Sequence, residues 1–148
     1  MSHEKRLSEL GLELPPAPQP VATYSPTVQT GNLLYLSGQI ARGPRKGHVG
    51  NELTVDEGRE AARACGLSLL AQARAALGSL DRVVRVIKLT GWVASTDDFT
   101  EQPEVMNGAS DLMVEVFGEA GRHSRAAVSA PALPRGAAVE VEAIFEVQ

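Results

Sequence analysis

Two side chains near the C-terminus of this chain have the types and the setting to do chemistry together. Arg125 lies in Ser124-Arg125-Ala126-Ala127-Val128, and Glu140 opens the alternating run Val139-Glu140-Val141-Glu142-Ala143. A guanidinium offers a planar, two-pronged donor that matches a carboxylate, and it stays charged when partly buried. A carboxylate beside an electrophilic carbon can orient water and carry protons. Between them Leu133-Pro134-Arg135-Gly136 reads as a turn, and an antiparallel pairing of the two runs brings Arg125 and Glu140 back toward each other. On residue type alone a second reading stays open: Arg125 pairs with a glutamate of its own sheet, and Glu140, Glu142 and Glu146 form a solvated face.

Toward the N-terminus, Tyr24 precedes Gly31-Asn32 and Ser37-Gly38-Gln39. Tyr24 reads as a cleft hydroxyl or ring wall, or equally as a half-buried edge-strand tyrosine. Gly38 lets backbone approach a ligand closely. Ser37 is not read as a covalent nucleophile, because no histidine partner is indicated and the Gly-x-Ser-x-Gly elbow is absent. Cys65 falls on the apolar stripe of a helix and reads as a buried, inert thiol. His3, His48 and His123 are scattered, with no HxxxH or CxxC spacing, so no metal site is expected. His123 is a loop histidine or a titrating residue of the cleft.

The order arginine, then LPxxAxVEVEA, resembles the C-terminal signature of the RidA/YjgF family of small trimeric enamine/imine deaminases. The pattern Tyr, GN, SGQ resembles the same family's N-terminal motif, with matching spacing. The resemblance implies an α+β fold and trimers whose sheets form a barrel-like centre, with ligand clefts between neighbouring subunits. It implies that Arg125 clamps a substrate carboxylate and that Glu140 positions the attacking water. Backbone groups near Ser37-Gly38 and at Ala127, with Tyr24, complete the grip. Asn107 resembles an asparagine of the family's corresponding helix. The activity implied is hydrolysis of short 2-imino or enamine acids to 2-keto acids and ammonia, without a cofactor. The alternatives are a non-catalytic module for small carboxylates and an endoribonuclease, an activity attached to some relatives' names.

The chain departs from that pattern in several places. Ala127 stands where the family often has cysteine, so no thiol there can be essential, although an alanine amide still donates. Thr23 stands where proline commonly precedes the tyrosine, and Pro26 replaces a frequent glutamine. The N-terminal arm and the longer Asp97-to-Arg122 region also lie outside the compact pattern.

Composition narrows the classes. With 148 residues, 43% hydrophobic and 22% charged, the chain is one ordinary globular domain. One cysteine excludes an internal disulfide framework and fits a reducing compartment. No apolar run approaches the ~18 residues of a membrane span. The N-terminal residues lack the apolar stretch of a secretory signal, which makes the cytoplasm the default location. A net charge of −4 with 4% aromatic residues argues against nucleic acid, which needs a basic footprint and stacking platforms. A local positive spot around Arg122, Arg125 and Arg135 suits a small anion.

The elements that position these residues follow from pattern. Residues 1–20 read as an arm, with a short helix from Glu4 to Leu10 and then an extended stretch forced by Pro15, Pro16, Pro18 and Pro20. Residues 21–148 form the domain. A strand is expected over Val21–Val28, interrupted at Pro26, then a Thr30-Gly31-Asn32 turn and a strand over Leu33–Ser37. The polar loop from Arg42 to His48 lacks the order of a phosphate-binding motif and reads as solvated. Thr54-Val55-Asp56-Glu57 is a capping box opening a helix to Leu77, with Ala61, Cys65, Leu69, Ala73 and Ala76 as its apolar stripe and Gly78 as its stop. Val83 to Val93 reads as a central strand. Thr96-Asp97-Asp98 prepares a second helix with Pro103 early and Met106, Ala109, Met113 and Val116-Phe117 inward. The final strand buries Val139, Val141, Ala143, Phe145 and Val147 and turns Glu140, Glu142, Ile144 and Glu146 the other way. The sum is a two-layer α+β fold, one mixed sheet with two helices on a single face. Its second face suits a subunit interface.

Overall fold

The computed structural model describes residues 2–41 and 46–148. The solvated-loop reading of Arg42, Gly43, Pro44 and Arg45 lies outside the described residues. The elements run α1 (His3–Glu9), β1 (Thr27–Thr30), β2 (Leu33–Ile40), α2 (Val55–Leu77), β3 (Val83–Ala94), α3 (Gln102–Phe117), β4 (Ser124–Ala130) and β5 (Val139–Val147). The five strands make one sheet in the order β1-β2-β5-β3-β4. Within this sheet, among the described residues, β3 and β4 run parallel and the other strand pairs are antiparallel.

Local chemistry starts and stops these elements as the sequence predicts in most places. Glu57 N donates to Thr54 Oγ1 and Thr54 N to Glu57 Oε1, closing both halves of the capping box of α2. Gly78 ends that helix in a left-handed conformation. Thr30 pairs with Leu33 across a two-residue turn, and Gly31 supplies the positive φ that such a turn needs.

Four expectations are corrected. β1 begins only at Thr27: Val21 to Ser25 bends, with Tyr24 N bonded to Ala22 O, and Pro26 has no N–H for a ladder. β2 runs on past Ser37 to Ile40. Ala76 is exposed, and Leu77 takes the last inward position of α2. Thr96 Oγ1 closes its own turn on Asp98, and the chain enters α3 five residues later at Glu101 without a side-chain cap.

The largest correction concerns β4 and β5, which do not pair. Because α3 carries the chain from β3 to β4, the two strands form a crossover unit and must run parallel. β5 then returns antiparallel on the other side of β3, with Gly91 facing Val141 and Trp92 facing Glu140. The turn before β5 bridges over the end of β3, so the expected hairpin is absent.

Both long helices lie on one face. Leu34, Leu36, Leu89, Val93, Val141 and Phe145 of the sheet pack with Leu69, Leu70, Met106, Leu112 and Met113 of α2 and α3 in one core. Each such side chain contributes about 1.5–3 kcal/mol on burial. The short α1 adds Leu7 beside α3. The opposite face of the sheet stays open, with Val28 58%, Tyr35 44% and Val128 46% exposed. No helix among the described residues is long and apolar enough to cross a membrane.

Candidate functional site

The alternation of β5 fixes Glu140. Val139 and Val141 point into the core, so Glu140 and Glu142 emerge on the open face. Opposite them β2 carries a bulge: Leu36 pairs with Ala143 and Gln39 with Val141, so Ser37 and Gly38 together face one residue of β5. The bulge presses the backbone of Gly38 against the Glu140 carboxylate. A Cβ at position 38 would meet Glu140 Oε2, so glycine is what lets the carboxylate rest against this backbone. Burial is the main cause that pushes the Glu140 carboxyl above its ordinary value, and the charge of Glu142 adds to it.

Around this carboxylate lies a cavity of about 510 Å³, walled by Glu142, Gly38, Tyr24, Arg135 and the segment from Pro18 to Pro26. Tyr24 stands on its wall half in solvent. Arg135 enters from the turn before β5 with φ 59°, a left-handed conformation that costs a non-glycine residue ~1–3 kcal/mol. Ser37 holds the wall in place. Its Oγ donates to Ser25 O at 2.7 Å and its amide to Pro26 O at 2.9 Å. Ser37 thus tethers the segment bearing Tyr24, and Gly38 lies against the Glu140 carboxylate. A second tether is buried: Gln72 Nε2 donates to Pro18 O and reaches Gln39 Oε1, while Gln39 Nε2 donates to Ser37 O at 3.0 Å. Gln39 stood in the motif without a role, and Gln72 sits with Ser68 among the mostly apolar buried positions of α2; a long polar side chain at such a position is the signal that could have found it.

Arg125 sits elsewhere. It pairs in register with Leu89, so its side chain leaves on the helix side of the sheet, next to α3. Nη1 donates to Asn107 Oδ1 at 2.9 Å and to Ser110 Oγ at 3.1 Å, and Nη2 donates to Pro103 O at 3.3 Å. All three partners are neutral. Arg125 has no acidic partner among the described residues, which sets aside its pairing with a sheet glutamate. Among the described residues Nε–H and one Nη2–H have no acceptor, enough for a two-pronged grip on a carboxylate. Asn107 therefore braces the guanidinium. Ala127 follows on the same edge strand. Because the Ala130 carbonyl faces inward to accept from Ser95 N, alternation turns the Ala127 amide outward to the free edge. His123 and Ser110 join this cluster.

One chain thus holds two half-sites. Glu140, Gly38, Ser37 and Tyr24 gather on the open face beside β2, whereas Arg125, Asn107 and Ala127 gather at the β4 edge under α3. Cys65 belongs to neither: it is fully buried, its Sγ lies 3.4 Å from Val139 O, and burial pushes its thiol far up.

The family model described as "YjgF/chorismate_mutase-like, putative endoribonuclease" matches residues 4–146. The chain is 51% identical over 145 residues to protein TCP17 of Trypanosoma cruzi, covering 95% of this chain and 91% of that one. It is 31% identical to the 2-iminobutanoate/2-iminopropanoate deaminase of Dermatophagoides farinae, covering 93% and 95%. Among solved structures, one from Shewanella oneidensis, titled a putative endoribonuclease, superposes with a TM-score of 0.95 at 35% identity, covering 99% of this chain and all of that one. With both sequence motifs, the one-sided mixed sheet and these matches in agreement, the chain belongs to the RidA/YjgF family.

Proposed function

We propose that this protein hydrolyses short 2-imino and enamine acids to 2-keto acids and ammonia in clefts between the subunits of a homotrimer. The observation that carries this reading is the division of the candidate residues into two half-sites on opposite faces of the sheet. Arg125 at the β4 edge of one subunit would face the Glu140 cavity of its neighbour, and the exposed apolar residues of the open face would be covered. Arg125 and the Ala127 amide hold the substrate carboxylate, and the backbone at Gly38 with Tyr24 frames the reacting carbon.

Chemistry then asks little of the protein. Water, oriented by Glu140, attacks C2 of the imine. Glu140 takes a proton from that water and passes it to the imine nitrogen, giving a carbinolamine. Glu140 next moves the carbinolamine hydroxyl proton to the amino nitrogen; the C–N bond breaks as the C=O bond forms, ammonia leaves, and the 2-keto acid remains with Glu140 again ionised. A carboxyl raised above its ordinary value is a better base for this step. Water is the only co-reactant. The name of the 31%-identical deaminase supports the substrate class.

The test supplies 2-iminobutanoate or 2-iminopropanoate from an amino-acid oxidase and follows keto acid and ammonia. Wild type should exceed the spontaneous rate, and Glu140→Gln should lose most of that acceleration while keeping ligand affinity. A wild type that binds 2-oxobutyrate without accelerating hydrolysis would leave a carboxylate-binding module. The family description supports one rival, an endoribonuclease. It would cleave RNA in a manner that falls steeply with salt, against a net charge of −4.

A further inference from the structure

Behind Arg125 lies a directional chain of hydrogen bonds that the imine chemistry does not use. His123 Nδ1 is 2.6 Å from Gly121 O, and a carbonyl can only accept, so Nδ1 carries the proton. In the neutral ring Nε2 is then an acceptor. It lies 2.9 Å from Ser110 Oγ, whose hydroxyl hydrogen must point at it. The lone pairs of Ser110 Oγ are thereby turned toward Arg125 Nη1, 3.1 Å away. Asn107 Oδ1 takes the other hydrogen of that nitrogen at 2.9 Å. With both Nη1 hydrogens committed, the guanidinium cannot rotate without breaking two bonds.

We propose that Ser110 and His123 are positioning residues for Arg125: His123 orients the Ser110 hydroxyl, and Ser110 locks the guanidinium in the orientation that meets a ligand carboxylate. The proposal rests on Arg125 being the carboxylate grip. Ser110 lies one turn after Asn107 on α3, so both reach Arg125 from the same helix face. His123 is half-buried in the loop just before β4. The charged groups around it are few among the described residues. Arg125 acts on it from β4; Arg122 pairs with Glu119 at 3.2 Å, and Arg85 donates to the Arg122 carbonyl. On α3 it meets the neutral Ser110. Burial first, and the Arg125 charge with it, hold His123 below its ordinary value, which keeps the ring a neutral acceptor.

Two readouts test this on the full-length protein, with 2-oxobutyrate as the probe. Calorimetry should show affinity about tenfold weaker in Ser110→Ala, the worth of one hydrogen bond to a charged group, and near wild type in Ser110→Thr, which keeps the hydroxyl. NMR titration of His123 should show its pKa rise when 2-oxobutyrate saturates wild type, since the bound anion offsets the Arg125 field. In Arg125→Ala the free value should already be higher and should not respond. Circular dichroism confirms folding of each variant. Unchanged affinity in Ser110→Ala together with an unresponsive His123 would overturn the relay, and lost binding in Arg125→Ala would then show the grip itself intact. Equal affinity in Arg125→Ala and wild type would overturn both.

Discussion

Arg125 and Glu140 project from opposite faces of one sheet, with β3 running between their strands. Within a single chain they cannot act on one small molecule. In the proposed trimer, a ligand that touches both would lie where the β4 edge of one subunit meets the open face of another.

Glu140 carries a pH signature. Its carboxyl is raised by burial and by Glu142, so the charged form is the costly one in the folded protein. A raised carboxyl contributes stability below the unfolded value, and that stability is lost as pH rises through the folded value. Glu140→Gln should therefore melt higher than wild type at pH 7 to 8, with the gap closing toward pH 4. Hydrolysis should move oppositely in wild type, falling on acidification as the base is protonated. Thermal melts across pH and a pH–rate profile check both directions.

Gly38 and Glu140 are coupled by contact. Gly38→Ala places a Cβ where the Glu140 carboxylate lies, so the flexible end of that side chain must swing away, which should remove most of the activity while costing little stability. The double variant Gly38→Ala with Glu140→Ala should unfold no more readily than Glu140→Ala alone, because the obstacle is gone, and should stay inactive. Denaturant unfolding of the single and double variants measures this coupling.

Some of this was readable along the chain and some was not. The capping box at Thr54 and Glu57, the Gly31 turn and the alternation of β5 are local rules, and the structure follows them. Which strand β4 joins is a long-range choice made by the α3 crossover, and the Pro/Gly turn before β5 pointed to the wrong partner. The bulge at Ser37-Gly38 is invisible in a period-2 pattern, yet it brings Gly38 onto Glu140. Arg125 was legible as a candidate from its motif. Its acceptor Ser110 was not, because a serine in an amphipathic helix carries no sign of what it faces.

The segment from Pro18 to Pro26 should depend on a buried amide. Gln72→Ala removes the donor to Pro18 O and leaves Gln39 Oε1 without that partner, at ~1–3 kcal/mol. Limited proteolysis should cut this variant near Val21 to Ser25 faster than wild type, with the melting temperature lowered. An unchanged cleavage rate would mean that Ser37 alone holds the wall.

The proposed division of the site between subunits has a direct test by complementation. Arg125→Ala and Glu140→Gln should each be nearly inactive alone. Denatured together in equal amounts and refolded as mixed trimers, they should regain about a quarter of wild-type imine hydrolysis, because that share of interfaces joins an intact Arg125 to an intact Glu140. Light scattering should report trimers throughout. Mixed trimers that stay as inactive as their parents would contradict a site built from Arg125 of one subunit and Glu140 of the next.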